Sequence, residues 1–86
     1  MKYFVYLLIS GTNDKSVTYV GYTSNIKNRV RLHNTSKGAK FTRCRKWKLI
    51  YKKAYNTKSS AMRNEYLLKK NIKKRSIIKK KFLKNI

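Results

Sequence analysis

A single glutamate, Glu65, stands in a chain with 24 Lys plus Arg and only 2 acidic residues. Two roles suit a carboxylate in that company. It can pair with Lys69, four residues on along a helix. It can also ligate a hard divalent cation such as Mg²⁺, which takes carboxylate oxygen and keeps several waters. The other acid, Asp14, sits in Gly11-Thr12-Asn13-Asp14-Lys15, which is turn chemistry. His33 is the only histidine, and on a helix it is either a packed ring or a proton carrier. Arg29 lies one turn before it, so the two can reach a common point. Tyr6 and Tyr19 lie in apolar runs, where tyrosines are ordinarily core residues. Nothing in their type or alternation marks them as catalytic. Cysteine and histidine are too few for a zinc site. Cys44, in a basic loop, carries no sign of an activated thiol. There is no Gly-rich phosphate loop followed by Lys-Ser/Thr.

The elements that must position these residues can be read from periodicity. Residues 2–10 are nearly continuously apolar, aromatic and β-branched, which predicts a central strand. After the polar turn, residues 16–21 predict a second strand, paired antiparallel as a hairpin. A helix is expected from an N-cap at Ser24 to His33, with Ile26, Val30 and His33 on one face. Residues 34–46 read as a loop holding Lys37, Lys40, Arg43, Arg45 and Lys46. A third strand is expected over 47–55, with Trp47, Leu49 and Tyr51 alternating to one side. Thr57 or Ser59 can cap a second helix reaching residue 73, with Ala61, Glu65, Leu68 and Ile72 on one stripe. That stripe turns Glu65 inward. A short third helix over 76–86 would pack through Ile77, Ile78, Phe82 and Leu83. The order β-β-α-β-α-α predicts an α+β domain, a small three-stranded antiparallel sheet flanked by helices.

Size and charge bound the function. The chain has 86 residues and no proline, so a single domain over 1–86 is expected. One cysteine excludes an internal disulfide and suits a cytoplasmic or DNA-associated protein. The apolar start is too short to span a membrane and has no small-residue cleavage site. A net charge of +22 attracts polyanions, with nucleic acid first and an anionic membrane surface second. Lysine outnumbers arginine, and Asn, Ile and Tyr are frequent, a skew that an AT-rich genome produces. The field exists whatever its origin. The 41% hydrophobic content argues for a folded domain rather than a basic tail.

Taken in order, the residues resemble one family. Val5-Tyr6-Leu7 on the first strand and Tyr19-Val20-Gly21 on the second resemble the paired half-motifs of the GIY-YIG nucleases. The run from Tyr19 to Arg29 matches that family's spacing from its second motif to its active-site arginine. His33-Asn34, with Lys37-Gly38-Ala39-Lys40-Phe41-Thr42-Arg43, resembles the small single-domain branch, which includes stand-alone bacterial and viral members. That branch is similar to the catalytic subunit of the structure-selective branched-DNA nuclease. Ser60-Ala61-Met62-Arg63-Asn64-Glu65 resembles the helix that delivers the family's metal-binding glutamate. The likeness covers residues 2–75. The first motif departs from it, reading Phe4-Val5-Tyr6, and Tyr22 stands where excision-repair relatives often carry a lysine. The downstream asparagine of some relatives has no counterpart.

The resemblance implies a metal-dependent endonuclease cutting DNA, in repair, recombination, a mobile element or a phage or virus. It implies one Mg²⁺ or Mn²⁺ at Glu65, with Tyr19 orienting or deprotonating the attacking water. Tyr6 would position water or phosphate, and Arg29 would stabilise the transition state. His33 would assist proton transfer or hold the phosphate. Lys37, Lys40, Arg43, Arg45, Lys46 and Lys69 would grip the DNA backbone, which positions DNA without reading sequence. Branched or flap DNA, and a protein partner that supplies specificity, are the implied partners. Composition alone suits a second reading, a basic nucleic-acid-binding module without catalysis.

Overall fold

The computed structural model describes residues 2–11, 15–35 and 45–84. Asp14, Lys37, Lys40, Arg43 and Cys44 lie outside those residues. Three strands form one antiparallel sheet: β1 (Tyr3–Ser10), β2 (Val17–Thr23) and β3 (Lys48–Tyr55), in the order β2-β1-β3. Three helices accompany them: α1 (Ile26–Asn34), α2 (Lys58–Lys70) and α3 (Ile72–Lys84). The α+β architecture and the element order are those expected from the sequence.

The unbroken apolar run of β1 has a simple cause. The strand is central and covered on both faces, and Val5 through Ile9 are all buried. Val5 and Leu7 point to one face, where they join Val20, Ala61 and Leu68. Tyr6 and Leu8 point to the other, where they join Trp47, with Val17, Tyr19, Ile26, Val30 and Leu49 around them. Thus α2 covers the first face and α1 the second. The β1–β2 turn opens at Gly11, whose φ of +86° suits only a residue without Cβ.

Several boundaries differ from the expectation. Strand β2 continues through Thr23, and the N-cap of α1 is Asn25 rather than Ser24. The Asn25 side chain accepts from Asn28 N at 3.1 Å, while Asn25 N donates to Thr23 Oγ1 at 3.1 Å. Helix α2 stops at Lys70, short of residue 73, because Asn71 leaves helical geometry with φ −90° and ψ 77°. Asn71 then caps the next helix, its side-chain oxygen accepting from Lys74 N at 3.0 Å. Arg75 closes the other side, donating to the carbonyls of Leu68 and Lys69 at the end of α2. Ile72 therefore opens α3 and is 71% exposed, instead of extending the inward stripe of Ala61 and Leu68. Helix α3 starts at 72 rather than 76. It packs on the sheet through Ile78, while Ile77 is exposed.

Strand β3 does not keep the expected alternation. The pairing with β1 shifts between Leu7 and Leu8, so Leu7 faces Tyr51 and Leu8 faces Leu49. Ile50 is the extra residue of a bulge. Trp47 and Leu49 consequently serve the α1 face, and Ile50 and Tyr51 the α2 face.

Candidate active site

Strand alternation and one missing side chain place the phenols. Tyr6 is directly opposite Gly21 across the β1–β2 ladder. A Cβ at Gly21 would overlap the Tyr6 hydroxyl and its ring carbon. The ring of Tyr6 therefore lies across the edge strand β2 only because residue 21 is glycine. A strand glycine often marks such a close approach. Tyr19, two residues earlier on β2, faces Leu8 and lies on the same side of the sheet.

Helix α1 brings Arg29 and His33 over these rings. His33 is buried and shares a 2.9 Å hydrogen bond between its Nε2 and the Tyr6 hydroxyl. Its ring also packs against Tyr19, centroids 5.1 Å apart. Trp47 lies edge-on behind Tyr19. The next residue, Asn34, anchors this end of α1. It accepts from Trp47 N and donates to Trp47 O, a two-point clamp between α1 and the start of β3. Sequence reasoning gave Asn34 no role, although its place beside His33 was visible.

Burial controls the protonation of this pair. It pushes the Tyr6 phenol well above its usual pKa, Tyr19 and Glu65 push the same way, and Arg29 opposes them. It also lowers the His33 pKa below 6.5, and the Arg29 guanidinium lowers it further. At neutral pH both are therefore uncharged. A net charge of +22 does not decide the state of Tyr6; its local burial does.

Helix α2 contributes the carboxylate. The Ala61 and Leu68 stripe is buried, and Glu65 lies between them, its side chain 19% exposed. Its Oε1 is 3.4 Å from Lys69 Nζ, and Lys69 is half exposed. The lysine end is open to solvent, which screens the attraction, so the pair is a weak competitor for the carboxylate.

These elements meet in one place. A cleft of about 560 Å³ is lined by Tyr6, Tyr19, Arg29, His33 and Glu65 together, with Tyr3, Gly21, Tyr22, Thr23, Ser24 and Lys58. All five side chains expected to do chemistry thus share one cavity. Arg45 and Lys46 are exposed, but neither lines it. Among the described residues, no three His, Cys, Asp or Glu side chains gather as a metal cluster. The donor set is one carboxylate in a roomy polar cleft. That fits a hard cation which keeps most of its waters, and it does not fit zinc. Among the described residues, no helix is long and apolar enough to cross a membrane.

Residues 2–81 match the family profile described as the GIY-YIG catalytic domain. Among curated relatives, a UPF0213 protein of Streptococcus agalactiae is 54% identical over 52 residues, 59% of this chain and 59% of the relative. The match therefore spans somewhat more than half of that relative's length. A UPF0213 protein of Limosilactobacillus reuteri is 38% identical over 85 residues, 95% of this chain and 82% of that one. A solution NMR structure of a UPF0213 protein from Bacillus halodurans is 33% identical, covers 90% of this chain and 83% of its own, and superposes with a TM-score of 0.48.

Proposed function

The chain belongs to the GIY-YIG family, and from that premise we propose that it is an endonuclease hydrolysing DNA phosphodiester bonds with one divalent ion, Mg²⁺ or Mn²⁺, at Glu65. The observation that carries this reading is the shared cleft of Tyr6, Tyr19, Arg29, His33 and Glu65. They come from β1, β2, α1 and α2, so no local sequence constraint forces them together.

Each residue has a part. The Glu65 carboxylate would hold the cation, which when bound would supply Lewis acidity for the phosphate and its leaving group. Arg29 donates to the non-bridging oxygens, where charge grows in the transition state. Water attacks phosphorus, the P–O3′ bond breaks, and a 5′-phosphate and a 3′-hydroxyl result. Tyr19 orients that water, whose proton passes through solvent to the departing 3′ oxygen and completes the 3′-hydroxyl. Tyr6 keeps its own proton, because burial raises its pKa; it is a positioning group and not the base. Neutral His33 holds the Tyr6 hydroxyl in place through the 2.9 Å contact. Arg45, Lys46 and Lys69, with Lys37, Lys40 and Arg43, hold the DNA backbone by charge, so binding falls steeply with salt.

One observation favours a second reading. Lys69 already engages Glu65, as it would in a non-catalytic nucleic-acid-binding module of the same fold. Binding assays cannot separate the two, because a charge of +22 gives binding in either case. Cleavage can. The purified protein is incubated with supercoiled plasmid, flaps and branched junctions, in Mg²⁺ or in EDTA. The nuclease reading expects Mg²⁺-dependent nicking by the wild type and a loss of about 10²-fold or more in Glu65→Ala and Arg29→Ala. Equal nicking by all three proteins means contamination, and no nicking on any substrate leaves the binding module.

A further inference from the structure

The cleft measures about 560 Å³, and its wall extends beyond the five residues of the proposed reaction. The phenols of Tyr6 and Tyr19, with Arg29, His33 and Glu65, account for part of its wall. Another part is Tyr3, Tyr22 and Lys58, none of which has a role in the proposed reaction.

Tyr3 and Tyr22 are half-buried and back onto the apolar cluster of Val5, Leu7 and Val20. Strand pairing fixes both: Tyr22 faces Val5, and Tyr3 faces Tyr55. Their rings rest on that cluster while part of each lines the cleft, which is the arrangement of a stacking platform. Lys58 is exposed and is the first residue of α2. A cation there opposes the helix dipole, and the first turn holds no acidic residue to offset it. Among the described residues, no ion pair or hydrogen bond engages its ammonium group. An aromatic wall beside an unengaged cation is the pairing that single-stranded nucleic acid needs: a face for the base and a charge for the backbone.

We infer that Tyr3, Tyr22 and Lys58 form a subsite for the nucleotide next to the cut, stacking an unpaired base on the tyrosines and pairing a flanking phosphate with Lys58. The term "cut" rests on the nuclease reading; the subsite itself does not need catalysis. A duplex hides its base faces, so the subsite selects DNA with an unpaired nucleotide at this position, such as the foot of a flap. Lys58 and the tyrosines then act on substrate choice, and the residues around Glu65 on the bond.

Fluorescence of 2-aminopurine tests this in EDTA, where nothing is cleaved. One oligonucleotide hairpin carries a single unpaired 2-aminopurine, and a second carries it fully paired. Wild type is expected to quench the unpaired probe by stacking and to leave the paired one unchanged. Tyr22→Leu should lose the quench and bind the unpaired probe roughly tenfold more weakly, with duplex affinity unaltered. Tyr22→Phe, which keeps the ring, should behave as wild type. Lys58→Gln should reduce the slope of log K against log salt by about 0.7 on single strands. Lys80→Gln, an exposed lysine of α3 outside the cleft, should not. Lys58 is at the surface, so its variant decides the matter even if Tyr22→Leu fails to fold. Absence of quenching by wild type overturns the inference. So does equal quenching by wild type and folded Tyr22→Leu, or a Lys58→Gln slope equal to that of Lys80→Gln. Plasmid nicking without this quench leaves the nuclease standing and removes the subsite; quench without nicking does the reverse.

Discussion

The two faces of this small sheet are built from the same central strand and differ in kind. On the α2 face, Val5, Leu7, Val20, Ala61 and Leu68 form a purely apolar cluster. On the α1 face, Tyr6, Leu8 and Trp47 pack beside buried His33 and half-buried Tyr19. The first face is stabilised by area removed from water. The second contains polar groups that must satisfy each other, and Tyr6 and His33 do so. Among the described residues, no buried side-chain polar atom lacks a partner. The difference teaches that the α1 face accepts a costlier interior because its polar atoms also line the cleft. Glu65 is the exception that joins the halves: it sits on the apolar stripe of α2 yet reaches the cleft beside the phenols.

That contrast can be broken by mutation. Leu7→Ala, at a fully buried site on the apolar face, should cost about 2–5 kcal/mol. In a domain this small, denaturant melts should show a protein partly or wholly unfolded at room temperature. Arg29→Ala should do the opposite. Its melt should stay near wild type while the rate of Mg²⁺-dependent nicking falls on the order of 10²–10³-fold. A large stability loss in Arg29→Ala would merge the two faces into one structural role.

A pH series sharpens the comparison further. Unfolded His33 titrates near 6.5, and burial holds the folded group below that. Between the two values the unfolded chain binds more protons, so stability rises with pH there. The contribution is complete above about pH 6.5 and is lost as pH falls through the folded value. Melting temperature should therefore drop on acidification below about pH 6.5, and His33→Gln should flatten that slope. The smallest effect is expected at Lys69→Gln. Its pair with Glu65, open to solvent at the lysine end and largely buried at the carboxylate, should change stability by no more than about 1 kcal/mol, measured in the same melts.

What the sequence disclosed, and what it withheld, divides along physical lines. The central position of β1 was legible because burial on both faces erases alternation over Val5 to Ile9. Inward-facing Glu65 was legible because helical spacing ties it to Ala61 and Leu68. The break at Asn71 was not, because one asparagine outcompetes the apolar period on either side by capping two helix ends at once. The bulge at Ile50 was not, because it is set by pairing with Leu7 and Leu8 on another strand. The contact of Tyr6 with Gly21 likewise depends on a cross-strand register that no single segment encodes. Lys58 and Tyr3 entered the cleft unannounced, since neither type nor spacing separates them from the other lysines and tyrosines.

Where a bound metal sits on the protein can be read by NMR. Substoichiometric Mn²⁺ is added to isotope-labelled protein, and paramagnetic broadening of backbone amides is read by NMR. Strongest broadening is expected at Glu65 and at the residues that share its cleft, Gly21, Arg29 and His33, and least at the C-terminal end of α3. Excess Mg²⁺ should reverse it, and Glu65→Gln should abolish it. Broadening centred elsewhere, or unchanged in Glu65→Gln, would contradict a metal site at this convergence.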